Sequence, residues 1–489
     1  MNRALRLSVR GKNECLLVIT AAFLIASFTV ILEVPLLFFF VLLIWSGMVV
    51  FALQDLKNRA AYLIFLIALF MFLIGGEFTE LYMGHPQEFV FSRELDTHAY
   101  ICLIISLCFL QAGFCMEVQN RRNRVKRVIN NDVPQLNVIR VRKVSQTGLF
   151  VTVVPYYLKT LDAGLYTLQN GYLKYYTEYK SRLPGMVEML SELFTMFFFI
   201  YLATMPSKKN CRLPMLLYLG NGILALITGR RIFLGVCILV LGAYIIIRNK
   251  ISPEEGWINR RKIIAAFILC PVLIAGLYMQ RYIRYGEAIE ENHILDIIFR
   301  FFSQQGASIN VIKLQKELEG DELGCTSLYY TLYYLRANVI TRHFIDFPLE
   351  YYAKRTASTA FSTNCLADYI MYKVNSADYY AGYGLGTSYI AELNHDFGYL
   401  GIALGSMAYG RLLKWLYSMK HFSFWRFVAG LMMLEEFVIM PRYGADVIFR
   451  PFFNLTKMMA FSLIIIAASP KCLKRVSENC EEKGDVNHV

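Results

Sequence analysis

The sequence predicts an all-α, polytopic integral membrane protein of about twelve transmembrane helices, with one large outer loop that contains helices of its own. Three observations carry this. Hydrophobic residues fill 56% of the 489 positions and mean hydropathy is +0.42. Charged residues reach only 18%, well short of the quarter usual in soluble domains, so the expected solvent is lipid rather than water. The apolar residues are also bunched into runs of roughly 17 to 25, each long enough as helix to cross a hydrocarbon core of about 30 Å. Open sheet is excluded for such runs, because lipid offers unpaired backbone groups no partner.

In chain order the spans fall near 15–32, 35–53, 60–75, 98–116, 146–161 and 186–204, then near 214–229, 231–247, 263–280, 397–415, 425–441 and 450–468. Glu33 and Pro35 break the first apolar stretch into a hairpin. The 146–161 span is weak, interrupted by Pro155 and closed by Lys159, and the 214–229 span is short. The chain thus divides into a membrane part over 1–280, an outer loop over 281–396, a second membrane part over 397–470 and a tail over 471–489. No small-residue cleavage site follows the first run, so no cleavable signal peptide is expected.

Basic residues set the orientation. With Arg3, Arg6, Arg10 and Lys12 on the cytoplasmic side, the segments bearing Arg121–Lys143, Lys208–Arg212, Arg248–Lys262 and Lys471–Arg475 also fall inside. Roughly 29 Lys and Arg then lie inside against about 9 in the short outer segments, and both termini are cytoplasmic. The net charge of +13 is therefore topology, not a nucleic-acid surface. The eleven cysteines show no metal-ligand spacing. Only Cys325 and Cys365 fall in the large outer loop, where an oxidising compartment would let them pair; the plainer reading is two free thiols.

The outer loop has room for structure. An amphipathic pattern runs through Ile289–Leu318, with Ile294, Ile297, Ile298, Phe301 and Phe302 on one side. Tyrosines recur at 329, 330, 333, 334, 351, 352, 379, 380, 383 and 389. Such rings suit a membrane–water boundary and also stack on sugar faces.

Some charges run against the topology. Arg230 and Arg231 occupy a short external turn, Arg281 and Arg284 open the large loop, and Arg300 precedes Ser303-Gln304-Gln305-Gly306. Arg442 follows Pro441 at the last outer turn, with Asp446 and Arg450 beyond it. Guanidinium groups converging on one membrane face make an anion site, since each grips phosphate bidentately. The alternative for any one of them is snorkelling or pairing with an outer carboxylate. Glu435 and Glu436 stand inside an apolar span, where they need partners. Glu392, His395 and Asp396 stand where the large loop re-enters the membrane; any of the three could take a proton from a hydroxyl acceptor, or could cap and pair locally.

Tyr383-Gly384-Leu385-Gly386-Thr387-Ser388-Tyr389-Ile390-Ala391-Glu392, continuing through Asp396-Phe397-Gly398-Tyr399-Leu400-Gly401, resembles the pattern of the O-antigen polysaccharide polymerase (Wzy) family. Arg300 with Ser303-Gln304-Gln305-Gly306-Ala307-Ser308, and the turn Thr228-Gly229-Arg230-Arg231, are similar to two further stretches of that family. Helix number, cytoplasmic termini and one large late outer loop match as well. The resemblance implies a lipid-dependent glycosyltransferase of the C-type architecture. Members join oligosaccharide repeat units carried on undecaprenyl pyrophosphate at the outer face of the bacterial cytoplasmic membrane.

On that resemblance Arg230, Arg231, Arg281, Arg284, Arg300 and Arg442 are the expected pyrophosphate ligands. Glu392, His395 and Asp396 are the expected catalytic residues, and Gln304, Gln305, Tyr383 and Tyr389 line the substrate. No metal site and no cofactor is expected: no Asp-X-Asp pair of the metal-dependent transferases stands at an obvious position. The partners implied are undecaprenyl-pyrophosphate-linked oligosaccharides, the lipid bilayer and a chain-length regulator, with no nucleic acid. Two rivals share the substrate: an O-antigen ligase and a lipid-linked oligosaccharide flippase. The halves of the chain show no self-similarity of the kind transporters carry.

Overall fold

The computed structural model describes residues 34–84, 89–116, 138–285, 293–319, 323–336, 355–417 and 424–468. Helices and turns make up the described residues, with no strand among them. Seven helices there are long and apolar enough to cross a membrane, or eight if the bent pair Val447–Phe453 and Leu455–Ile466, which meet at 63°, counts as one span. The expected span at 15–32 lies outside the described residues. Those at 146–161 and 397–415 belong to longer, more polar helices, and that at 425–441 to a helix of 16 residues, too short for the same criterion.

Helix α1 (Val34–Gln54) stops at Asp55, and α2 (Leu56–Leu69) runs through a π-helical turn at Phe70–Ile74 into α3 (Gly75–Met83). Ser92 caps α4 (Arg93–Cys115) by accepting from the Leu95 N–H, and Glu94 and Asp96 in its first turn complement the positive helix end. The 33-residue α5 (Val138–Asn170) keeps Pro155 within it. Beyond α6 (Tyr172–Thr177), helices α7 (Gly185–Ala203), α8 (Lys208–Leu224), α9 (Ile232–Ile251) and α10 (Arg260–Tyr285) follow in short-turn succession. At one end of these helices Arg248 is buried against the Pro206 carbonyl and the Glu255 carboxylate, while Lys208 holds the carbonyls of Glu255 and Gly256. Basic residues expected on the cytoplasmic side thus also tie two helix turns together.

The segment expected as the outer loop does not stand apart from the membrane helices. Its amphipathic stretch forms two helices, α11 (Ile294–Gln305) and α12 (Ser308–Glu317), where the pattern alone suggested one. The break has a cause: at Gly306 the chain lies against α3 so closely that a Cβ there would sit 2.2 Å from the Gly76 nitrogen. Helix α12 is buried over 308–315, and Lys313 within it meets Glu77 of α3 at 2.6 Å and Asp96 of α4 at 2.7 Å. Tyr100 donates to the other Glu77 oxygen. Short helices α13 (Tyr329–Arg336), α14 (Ala357–Ser362), α15 (Leu366–Val374) and α16 (Ser376–Ala381) follow among the described residues of this segment.

Helix α17 (Tyr389–Tyr417) holds the main departure from expectation. Gly398 within it has φ 61° and ψ −156°, a conformation open to glycine and strained for other residues. The chain reverses there. The rings of Tyr389 and Tyr409 lie 5.6 Å apart, whereas twenty residues of straight helix would separate them by about 30 Å. Residues 389–397 and 399–417 are therefore the two arms of a helical hairpin. The second arm runs alongside α4 in matched register: His98 meets Tyr399, Ser106 meets Ser406, and Lys414 reaches the Cys115 carbonyl. Small residues let these backbones touch, since a Cβ on Gly113 would fall 2.0 Å from the Met407 carbonyl oxygen and one on Gly410 2.1 Å from that of Leu110. Close approach of this kind drives helix association in lipid, where hydrophobic exclusion supplies nothing. Helix α18 (Phe424–Ile439), a pair of 3-10 turns, α19 (Arg450–Phe453) and α20 (Leu455–Ala468) end the described chain.

Candidate active site

Two arginines far apart in sequence converge on one amide. The 3-10 turn Ala225–Thr228 ends at Gly229, whose φ of 75° reverses the chain and sets Arg231 at the start of α9. From there Arg231 Nη1 donates to the Leu277 carbonyl of α10 at 3.3 Å and Nη2 to Gln304 Oε1 at 3.2 Å. Arg442 comes from the 3-10 turn after α18. The buried Gln305 side chain lies between the two. With its carbonyl turned to Arg231 it accepts from Nη2 at 2.7 Å and Nε at 3.0 Å; turned the other way, it accepts from Arg442 Nη1 at 3.3 Å. Phenyl rings lie close by, Phe301 at 5.9 Å from Arg231 and Phe72 at 6.0 Å from Arg442. An amide and a ring face leave the positive charge of Arg442 uncompensated by these contacts, which suits an incoming anion.

The turn that carries Arg442 is held from two directions. Its carbonyl accepts from the Thr387 N–H at 3.3 Å. Glu392, fully buried on the first hairpin arm, accepts from the Ala445 N–H at 2.7 Å and the Thr387 hydroxyl at 3.1 Å. Gly444 makes this approach possible, because a Cβ there would lie 2.7 Å from a Glu392 oxygen. On the other side Asp446 accepts from the N–H groups of Tyr330 and Thr331 at 3.4 and 2.6 Å, anchoring the start of α13. Burial outweighs those donors and pushes the Asp446 carboxyl above the usual carboxylate range.

Asp396 is more fully engaged still. It accepts from the Thr326 N–H and hydroxyl, the Ser327 N–H and the Cys325 thiol, at 2.8–3.2 Å. Its fifth partner is the His395 ring, Nδ1 at 2.9 Å. Burial alone would push this carboxyl up, but the His395 ring, the Ser327 hydroxyl and the N–H groups of Thr326 and Ser327 hold it well below the usual carboxylate range. Of the three expected catalytic groups, only His395 keeps an atom, Nε2, without a partner among the described residues.

The profile of the O-antigen polysaccharide polymerase Wzy family matches residues 14–476. The chain belongs to that family. No curated protein and no solved structure matches the chain. Wzy membership brings a glycosyltransferase-type polymerisation of lipid-linked oligosaccharide repeat units within a membrane, and the match covers both arginine-bearing turns and the hairpin.

Not every expected residue joins the Arg231–Arg442 pair. Arg230 turns to the rings of Tyr175 and Phe233 at 5.2 and 4.7 Å and donates to Thr228 Oγ1. Arg300 is exposed one helical turn before Gln304. Arg281 and Arg284 lie on α10, with side chains outside the described residues. Tyr383 is exposed, and its carbonyl accepts from Arg355. Tyr389, expected to meet substrate, is fully buried, its hydroxyl 2.7 Å from Ser106 Oγ; its ring has no open face for a sugar. Glu436 is paired bidentately with Arg450, and Glu435 accepts from Tyr218. Cys325 and Cys365 are free thiols and form no disulfide. Among the described residues no group of three His, Cys, Asp or Glu could hold a metal ion.

The sequence reading missed the Glu77–Lys313–Asp96 cluster. Its signal was present: Lys313 is a single cation in the apolar run Ile309–Leu314, and Glu77 follows a long apolar stretch. Lone charges in such settings need partners.

Proposed function

We propose that this Wzy-family chain polymerises undecaprenyl-pyrophosphate-linked repeat units at the outer face of the cytoplasmic membrane, with Arg231 and Arg442 gripping the donor pyrophosphate. The observation that supports this most is the meeting of the two guanidinium groups at Gln305. The acceptor hydroxyl oxygen bonds to the anomeric carbon of the donor sugar while the carbon–oxygen bond to phosphate breaks, and the hydroxyl proton passes to a departing pyrophosphate oxygen or to water. Undecaprenyl pyrophosphate leaves with the electron pair. Fixed donors aimed at that developing charge lower the barrier without reorganising, and arginine supplies the positive charge that a metal ion would otherwise bring. An incoming phosphate displaces the Gln305 carbonyl and turns its amide N–H groups toward the anion. The excess of basic residues on the opposite side supports the outer face.

Glu392 is a positioning residue in this reading: both its oxygens are occupied in holding the turn behind Arg442. Gln304 does the same for Arg231. The growing chain is transferred to the next lipid-linked unit, and a chain-length regulator is the expected partner.

The test is extension of the cognate undecaprenyl-pyrophosphate repeat unit by purified protein in nanodiscs. Wild type is expected to give a ladder of products, unaffected by EDTA. Arg231→Ala and Arg442→Ala should each lose about 10²–10³ in rate. Well-folded wild type that leaves its own unit unextended, or arginine variants as fast as wild type, would overturn the proposal. Long chains passed to a non-repeat acceptor would point instead to a ligase.

A further inference from the structure

A second place along the same surface has the chemistry of a sugar site. Helix α12 and the first hairpin arm run side by side away from the arginine pair. The residues that lead into them meet there, Gln305 at the end of α11 reaching Arg442 and Thr387 just before the arm reaching the Arg442 carbonyl. Further along they share a second contact, Asn394 Nδ2 donating to Gln315 Oε1 at 2.7 Å. Between Ser388 and His395 the arm rises by about 10 Å. At that far end a cavity of about 240 Å³ opens, lined by Gln315, Leu318, Glu319, Tyr369, Ile370 and His395 among others.

We propose that this cavity is a saccharide subsite, taking one sugar ring of the lipid-linked repeat unit. Sugars present hydroxyls that donate and accept together, carried on an apolar ring face, so a site for them needs fixed groups of both kinds over an apolar floor. The walls provide both. His395 is locked through Nδ1 to Asp396, itself held by Thr326 and Ser327, which leaves Nε2 for an occupant. Gln315 is 96% buried, its Oε1 bound by Asn394, which leaves its Nε2 as a donor without a partner among the described residues. Glu319 brings a carboxylate at the rim, paired there with Lys316. Leu318 and Leu323, both half-buried, supply the apolar surface. The volume falls below the roughly 300–1,000 Å³ of drug-sized sites, which favours a single ring over an oligosaccharide. Its distance from the arginines suits a sugar further along a repeat unit than the one bonded to phosphate. That same distance keeps His395 away from the reacting carbon and makes it a binding group.

This inference rests on the polymerase reading for its substrate, but it can fail separately. The probe is the free oligosaccharide of one repeat unit, released from the cell's own polymer, titrated calorimetrically into the full chain in nanodiscs. Saturable binding to wild type is expected, weakened at least tenfold in His395→Ala and in Glu319→Gln, while Arg442→Ala still binds the probe although it no longer extends lipid-linked units. The Glu319 change lies on an exposed rim and guards against misfolding, which thermal unfolding of each variant checks. No saturable binding to wild type, or equal binding to wild type and both cavity variants, overturns the subsite. Binding lost in the cavity variants together with no product ladder from wild type would keep the subsite and sink the polymerase reading. Extension of the free oligosaccharide by one unit would place the acceptor sugar in the cavity; inhibition without extension would place the donor sugar there.

Discussion

Replacing Glu392 by Gln and by Ala separates two roles that a single variant would confuse. In the structure one carboxylate oxygen accepts the buried Ala445 N–H and the other the Thr387 hydroxyl. Glutamine can keep both contacts: its carbonyl still accepts from Ala445, and the Thr387 hydroxyl can rotate to accept from the new amide. Alanine keeps neither and leaves the Ala445 N–H orphaned, a penalty of about 1–3 kcal/mol. The turn bearing Arg442 then shifts, and a displacement of about 1 Å in a catalytic constellation costs on the order of 100-fold in rate. The expected result in the repeat-unit extension assay is a Gln variant within about tenfold of wild type and an Ala variant about 100-fold slower. A general base behaves otherwise, since losing the proton acceptor costs about 10²–10⁴ whichever residue replaces it. If the Gln variant, folded and thermally as stable as wild type, is as slow as the Ala variant, the positioning role is wrong and Glu392 handles a proton.

Three further outcomes are expected. Gly306→Ala forces a methyl against the Gly76 backbone at 2.2 Å, so Gln304 and Gln305 should move off the arginines, with the extension rate falling more than tenfold while helix content by circular dichroism stays constant. Lys313→Met leaves Glu77 and Asp96 with their shared cation gone and should destabilise the chain by about 3–5 kcal/mol in detergent unfolding; the double change Lys313→Met with Glu77→Gln should recover part of the loss. Asp396 has its carboxyl depressed in the folded chain, so the stability it contributes is present above its unfolded value near 3.9 and is lost as pH falls through the folded value. The gap in unfolding midpoint between wild type and Asp396→Asn should therefore be constant above about pH 5 and shrink only below about pH 4; a gap already shrinking well above pH 5 would refute the assignment.

Much of the helical architecture was legible because lipid imposes it: apolar runs of fixed length are single-residue signals. Arg231 and Arg442 stood out for a related reason, since each interrupts an otherwise apolar pattern. What remained hidden depended on one conformation or one partner. Phe397-Gly398-Tyr399-Leu400-Gly401 reads as the entry of a continuous span, and hydropathy carries no mark of a positive φ at Gly398. Glu392 and Asp396 looked like available acids because their donors, Ala445 and Thr326–Ser327, are backbone groups distant in sequence. Tyr389 looked like a sugar platform because its partner, Ser106, lies on a helix made almost three hundred residues earlier. The outer loop looked separate because its buried helix α12 is neither long nor uniformly apolar.

The reversal at Gly398 also changes how experiments on sidedness should be interpreted. Residues 389–397 and 399–417 begin and end their hairpin such that the tip at 398 shares a level with the start of α4 at His98. A cysteine placed at 398 and one placed at Arg93 should therefore report the same compartment. Thr387 and Ser388, by contrast, precede the hairpin in a segment that hydropathy counts as outside, yet they are almost wholly buried, Thr387 against the Arg442 turn and Glu392. Membrane-impermeant thiol reagents should miss cysteines at those two positions. Silence there would report burial, not a segment on the far side of the membrane.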